Sequence, residues 1–281
     1  VPTFDDEQGV TVTYYVWRVG HPRAVIHLVH GIGEYATRYE PLVSVLNENG
    51  YSVYAADQRG HGQTGLDQWN GDRSKLGRLG PGGLRAAVED IRQLNGIIRA
   101  ENPGVPLVLL GHSMGSLTSQ MLVNDHADEL DALVLTGTAY RTPLHMEAGD
   151  LNKHHKQLGT TGYEWLSRDP QVAADFAVDP LTFDAKVLKL FGVADGLRLY
   201  GRPARGIHDL PLLVMIGEED SLGGPKSARM LVAAYEHRAG FTDTTLEIYP
   251  GARHEVFNET NRDEVMRDLV LWLDARFPQR V

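Results

Sequence analysis

At 281 residues, with 42% hydrophobic and 23% charged side chains, the chain has the composition of a globular protein with room for one main core and an insertion. A formal net charge of -10, with no dense Lys/Arg block, leaves no basic surplus for a phosphate backbone, so nucleic acid is not an expected partner. The absence of cysteine excludes disulfides, thiolate nucleophiles and Cys-ligated metals. No apolar run reaches the roughly 18 residues of a transmembrane helix and residues 1–9 carry no signal-peptide pattern, so a cytoplasmic protein is the expectation.

Residues 10–17 and 24–29 are β-branched or aromatic runs, bounded by Gly9 and by the Gly20-His21-Pro22 turn, and both are predicted as strands. After the Gly31-Ile32-Gly33 turn, residues 39–49 are predicted as a helix stopped by Gly50, and residues 51–56 as a strand. Leu84, Ala87, Val88, Ile91, Leu94 and Ile98 recur at the helical period, Pro103 lies just beyond them, and residues 106–110 form an apolar strand. Residues 114–126 are predicted as a helix, 132–135 and 212–216 as strands, 228–237 as a helix and 244–249 as the last strand. Val265, Leu269, Trp272 and Leu273 give the closing helix one apolar face.

This alternation predicts an α/β protein with a mostly parallel central sheet flanked by helices. Between about Tyr140 and Ile207 no strand stands out, and short apolar-rich helical pieces are broken by Gly and Pro. That pattern predicts an inserted, mainly helical cap at 140–207 between two parts of the core, 1–139 and 208–281.

Gly111-His112-Ser113-Met114-Gly115 follows an apolar strand and opens a helix, the context that a G-x-S-x-G nucleophile elbow of the α/β-hydrolase fold requires. A plain Gly-Ser turn is the bland alternative. Flanking glycines suit a strained serine turn because a Cβ there would strike neighbouring chain. The helix starting at Met114 also turns its N-terminal amides toward negative charge developing beside Ser113.

A serine hydroxyl needs a base, and in this fold the partners follow in the order Ser, Asp/Glu, His. Of twelve histidines only His254 follows the last predicted strand; His237 falls in a helix and is expected to be a surface residue. The acid should leave the strand at 212–216, where Glu218, Glu219 and Asp220 compete. Asp220 is preferred because residues immediately after a strand continue it or turn, whereas a residue further along the loop can swing under the histidine. The turn at His30-Gly31-Ile32-Gly33-Glu34 supplies the other oxyanion donor, so the backbone N–H groups of Ile32 and Met114 are the expected pair. His30 and Glu34 are expected to hold that loop by hydrogen bonds.

These segments, with Asp57-Gln58-Arg59-Gly60-His61-Gly62 and Arg253-His254-Glu255-Val256-Phe257-Asn258-Glu259, closely resemble the monoacylglycerol lipase and lysophospholipase-like family of serine hydrolases. The likeness extends into the cap at Ser167-Arg168-Asp169-Pro170 and Asp179-Pro180. The resemblance implies the same nucleophile, acid, base and oxyanion amides, namely Ser113, Asp220, His254, Ile32 and Met114. The chain departs from the family at Ser116, where a second glycine is usual, and at Thr64, where serine is commoner. Arg59 and His61 are expected to be buried hydrogen-bonding residues.

In the cap, Leu144, Met146, Leu151, Phe183 and Phe191 are candidates for an apolar acyl entrance, although an inserted subdomain also needs apolar residues for its own core. His145, His154 and His155 lack an H-E-x-x-H pattern and accompanying carboxylates, and are expected to be solvated. The reading is acyl transfer to water on a small ester with one apolar chain, most simply a monoacylglycerol. It needs no metal or organic cofactor and allows transient contact of the cap with a lipid interface. A lysophospholipase, a hydrolase of monoalkyl phthalates, a thioesterase or an aminopeptidase would use the same machinery, and a binding protein without catalysis would have no need of it.

Overall fold

The computed structural model describes residues 1–279. Eight strands form one sheet: β1 (Thr3–Asp5), β2 (Thr11–Trp17), β3 (Ala24–Val29), β4 (Tyr51–Ala56), β5 (Leu107–His112), β6 (Ala132–Thr136), β7 (Leu212–Gly217) and β8 (Thr244–Tyr249). Their spatial order is β1-β2-β4-β3-β5-β6-β7-β8. The β1–β2 and β2–β4 pairs are antiparallel and all later pairs parallel. The short β1 was not foreseen, because three residues are too few for a period-2 pattern to register.

Strands β3, β5, β6 and β7 are buried along their whole length, as they must be with helices on both faces. Alternate side chains divide them between two cores. On one face Val25, Leu109, Leu133 and Val214 pack with helices α3 (Gly83–Glu101), α4 (Met114–His126) and α7 (Gly224–Ala234) through Ile91, Leu94, Leu122 and Leu231. On the other, Ile26, Val108, Val134 and Leu213 meet α1 (Glu40–Glu48) and α8 (Arg262–Arg276) through Leu42, Leu46, Val265 and Leu269. All five helices are expected from the sequence, α3 and α8 by their apolar period, while α2 (Gly62–Gln68), built on Gly62, Thr64 and Gly65, carries no apolar stripe to announce it.

The segment between β6 and β7 contains no strand, a short 3-10 turn (Lys156–Leu158) and two α-helices, α5 (Pro170–Val178) and α6 (Val187–Arg198), the latter broken at Gly192, whose φ is 79°. Its two ends are strapped together: Gly201 N–H donates to Arg141 O at 2.7 Å, and Arg141 Nη1 donates to Leu199 O at 3.0 Å.

Arg59, in the loop after β4, is fully buried. Its Nε and Nη2 bond the two Asp90 oxygens at 2.7 and 3.2 Å, Nη2 also meets the Asp6 carboxylate, and Nη1 bonds Pro81 O. The cluster ties the N-terminal segment to α3 and to the loop before it. Removing one partner of a buried ionic cluster leaves uncompensated charge, so Arg59→Met is expected to cost about 3–5 kcal/mol of stability. Urea unfolding of the purified variant measures this; a loss below about 1 kcal/mol would mark the cluster as dispensable.

Candidate active site

Ser113 stands alone between the last residue of β5 and the first of α4, with φ 52° and ψ −122°. That conformation is strained for a residue with a side chain, at a cost of order 1–3 kcal/mol. Both flanking glycines are sterically required. A Cβ on Gly115 would lie 2.1 Å from Val29 O, and one on Gly111 would lie 2.5 Å from Gly115 O. Ser116, in place of the family's glycine, helps to hold the turn by donating its hydroxyl to Ser113 O at 2.6 Å, with Thr138 Oγ1 at 2.9 Å. Thr64 Oγ1 accepts the Thr13 N–H at 2.9 Å, tying α2 to β2.

His254 and Asp220 reach the serine from the loops after β8 and β7. His254 Nδ1 donates to Asp220 Oδ1 at 3.0 Å, which leaves Nε2 to accept from Ser113 Oγ at 2.8 Å. Asp220 Oδ1 is itself fixed by the Leu222 N–H at 2.8 Å. Burial presses the His254 pKa down, but the Asp220 charge and hydrogen bond, with Glu255 and Glu34 further off, outweigh it and hold the imidazole above its usual 6.5. His112, whose ring centroid lies 4.9 Å from that of His254, moves the other way: burial, then the neighbouring His254, lower it to about 3, so it stays neutral. Glu218 and Glu219 are exposed at the turn, and His237 is exposed after α7.

The turn after β3 passes directly beside the serine: a Cβ on Gly31 would sit 2.9 Å from Ser113 Cβ. Glu34 Oε1 accepts the Gly31 N–H at 2.6 Å, and His30 bridges Gly31 O at 2.7 Å and Gln58 N–H at 3.0 Å. The N–H groups of Ile32 and Met114 have no hydrogen-bond partner among the described residues.

A cavity of about 710 Å³ opens over Ser113 and His254, roofed by the segment between β6 and β7. Leu151 and Phe183 line it, and Ile32 lines it beside Ser113. Leu144, Met146 and Phe191 do not. Leu144 is 89% exposed, whereas Met146 is buried and Phe191 packs against the same cluster, with Leu79, Leu84, Leu117 and Leu199. The insertion spends those two residues on adhering to the core, which sequence cannot tell from lining a pocket.

The walls instead include Tyr163, Trp165, Leu166 and Phe176, none of them singled out by the sequence; Trp165 lies 4.7 Å from the His254 ring, centroid to centroid. An aromatic just ahead of the Ser167-Arg168-Asp169-Pro170 motif was the available signal. His155, expected to be solvated, is buried, and burial lowers its pKa, because the segment between β6 and β7 packs there beside Arg253 and Glu219. His145 is half-buried and hydrogen-bonded to Thr142, and His154 is exposed. Among the described residues no group of His, Cys, Asp and Glu is arranged to hold a metal ion, and no helix is long and apolar enough to cross a membrane.

The family model for serine aminopeptidase, S33, matches residues 20–261. The monoacylglycerol lipase of Mycolicibacterium smegmatis is 34% identical over 277 residues, covering 94% of this chain and 93% of the relative. Human monoglyceride lipase is 28% identical over 275 residues, covering 92% and 86%. A thermostable carboxyl esterase from Bacillus coagulans, solved in complex with glycerol, superimposes with a TM-score of 0.80 at 25% identity over 98% of both chains. The chain thus belongs to the serine aminopeptidase S33 family and, within it, to the monoacylglycerol lipase-like carboxylic-ester hydrolases of the α/β-hydrolase fold.

Proposed function

We propose that the enzyme hydrolyses monoacylglycerols through an acyl-enzyme on Ser113. The observation that carries this reading is the 2.8 Å contact of Ser113 Oγ with His254 Nε2 at the floor of an apolar-walled cavity. Ser113 Oγ attacks the ester carbonyl while His254 takes its proton, and Asp220 steadies the imidazolium. The tetrahedral oxyanion accepts from the Ile32 and Met114 N–H groups; losing one such donor typically costs about 3–4 kcal/mol of transition-state stabilisation. His254 then protonates the departing glycerol oxygen, and water, deprotonated by the same imidazole, releases the fatty acid and restores Ser113. No metal or organic cofactor enters these steps.

Substrate choice is argued from the walls. Leu166, Phe176 and Phe183 suit one acyl chain, while Asp150, Asn152, Lys156, Asp184 and Lys186 make a polar mouth. Lys156 pairs with Asp150 and Lys186 with Asp184, each at 2.6 Å, and these neutralised pairs suit an uncharged diol head. The esterase that resembles this chain was solved with glycerol, which agrees with that preference. Residues 140–207 serve as the covering cap on a core of 1–139 and 208–281, and exposed Val178, Leu188, Val193 and Leu197 on that cap support transient contact with a lipid interface. A second reading, a lysophospholipase, is favoured by Lys189, which lines the same cavity without an acidic partner among the described residues and would meet a phosphate.

Hydrolysis of 1-monoacylglycerols, lysophospholipids, p-nitrophenyl esters and monoalkyl phthalates by wild type and Ser113→Ala separates these readings. The expected result is the highest kcat/KM on monoacylglycerols and a loss of several orders of magnitude in the variant. A preference for lysophospholipids exchanges the substrate but keeps the mechanism, while an active Ser113→Ala refutes the mechanism. The base must be neutral to accept the serine proton, so a raised His254 pKa moves the acid limb of the rate profile to higher pH. The kcat/KM profile is accordingly expected to fall on the acid side with its midpoint above 6.5; a midpoint below that value would contradict the assignment.

A further inference from the structure

Arg38 lies on the turn that leads into α1, its side chain 14% exposed. Its Nη1 donates to Glu34 Oε2 at 2.7 Å and to Glu255 Oε1 at 3.1 Å, and Nη2 donates to Glu255 Oε2 at 3.2 Å. The two carboxylates come from separate loops around the nucleophile. Glu34 closes the Gly31-Ile32-Gly33 turn, where its Oε1 accepts the Gly31 N–H at 2.6 Å and the Tyr39 hydroxyl at 2.7 Å. Glu255 directly follows His254; its N–H donates to Leu166 O of the cap, and its Oε2 accepts from Asn258 Nδ2 at 2.7 Å. The guanidinium also sits 4.9 Å from the centroid of the Phe176 ring, on cap helix α5.

Glu34, Glu255 and Phe176 all line the catalytic cavity. Two carboxylates and a guanidinium taken this far out of water carry a desolvation cost that apolar side chains of similar size would avoid. Only a planar, forked cation spans both partners at once, which is the geometric property that distinguishes arginine from lysine.

We propose that Arg38 is a positioning residue: through Glu34 and Glu255 it locks the turn carrying the Ile32 N–H to the loop carrying His254, so that oxyanion donor and base keep one register about Ser113. The inference rests on the triad reading above. The lock also sets the charge around the base. His254 is faced by Asp220 from the loop after β7, His112 from the end of β5, Glu34 from the oxyanion turn and Glu255 from its own loop, with the uncharged Trp165 ring from the cap. Two carboxylates held against one guanidinium leave negative charge on that side, which favours the imidazolium formed in the transition state.

The test compares wild type, Ser113→Ala, Arg38→Met, Arg38→Lys and Glu255→Gln, with reactive sites counted by fluorophosphonate titration so that rates refer to folded enzyme. Arg38→Met is expected to lower kcat per titrated site about 100-fold with little change in KM, the scale of a 1 Å misplacement. Arg38→Lys keeps the charge without the fork and should recover only part of that loss. Glu255→Gln should move the acid limb of kcat/KM to lower pH by removing negative charge beside the imidazolium. Unchanged kcat per site in Arg38→Met, or a loss confined to KM, overturns the proposal. If Arg38→Met does not accumulate as folded protein, Glu255→Gln decides alone, and an unmoved acid limb overturns it. Failure of wild type to label while Ser113→Ala stays active would instead bring down the triad reading.

Discussion

Ser113 is held at a positive φ between a strand and a helix, and the other parts of the site are arranged around that one strained residue. The strain persists because the sheet and α4 over-determine the turn: Gly115 lies so close to Val29 O that no Cβ fits there, and Ser113 N–H donates to Thr136 O of β6 at 3.0 Å. A turn this tight lifts the hydroxyl out of the sheet edge toward the loops after β3, β7 and β8. The parallel order of β3, β5, β6, β7 and β8 then brings Gly31, Asp220 and His254 to the same edge from distant parts of the chain.

Burial imposes a second constraint, since most of the polar groups near the serine are cut off from water. His112 and His254 share one neighbourhood yet are pushed in opposite directions, because of the two only His254 bonds Asp220, while buried His112 bonds the Thr136 hydroxyl at 3.0 Å and sits beside the His254 charge. The single carboxylate thus separates a neutral packing histidine from a basic one. Arg38, Glu34 and Glu255 apply the same logic one layer out, with burial pushing Glu34 up and, against burial, the Arg38 charge drawing Glu255 down.

The segment between β6 and β7 contributes differently. Phe183 N–H donates to Gly33 O at 3.2 Å, Leu166 O accepts from Glu255 N–H, and the Arg253 Nη1 bonds Glu164 O and Ser167 O, each at 2.7 Å. The insertion therefore rests on the turn after β3 and the loop after β8 through main-chain groups of its own, met by backbone N–H and by the Arg253 guanidinium. Trp165 and Phe176 face the cavity, whereas Met146 and Phe191 turn to the core.

By itself the sequence determined the strand and helix alternation and the strand–turn–helix at Gly111 to Gly115, because these depend on local steric rules and on the composition and apolar pattern of each element. It missed β1 and α2, which lack any such period. Tertiary structure alone decided that His155 is buried and which residues between β6 and β7 wall the cavity, while it brings Asp220, already preferred from the sequence over Glu218 and Glu219, against His254. Those outcomes depend on where loops of unrelated sequence cross in space, and a loop's direction is set by the main-chain bonds and packing it finds there, not by its own residue pattern.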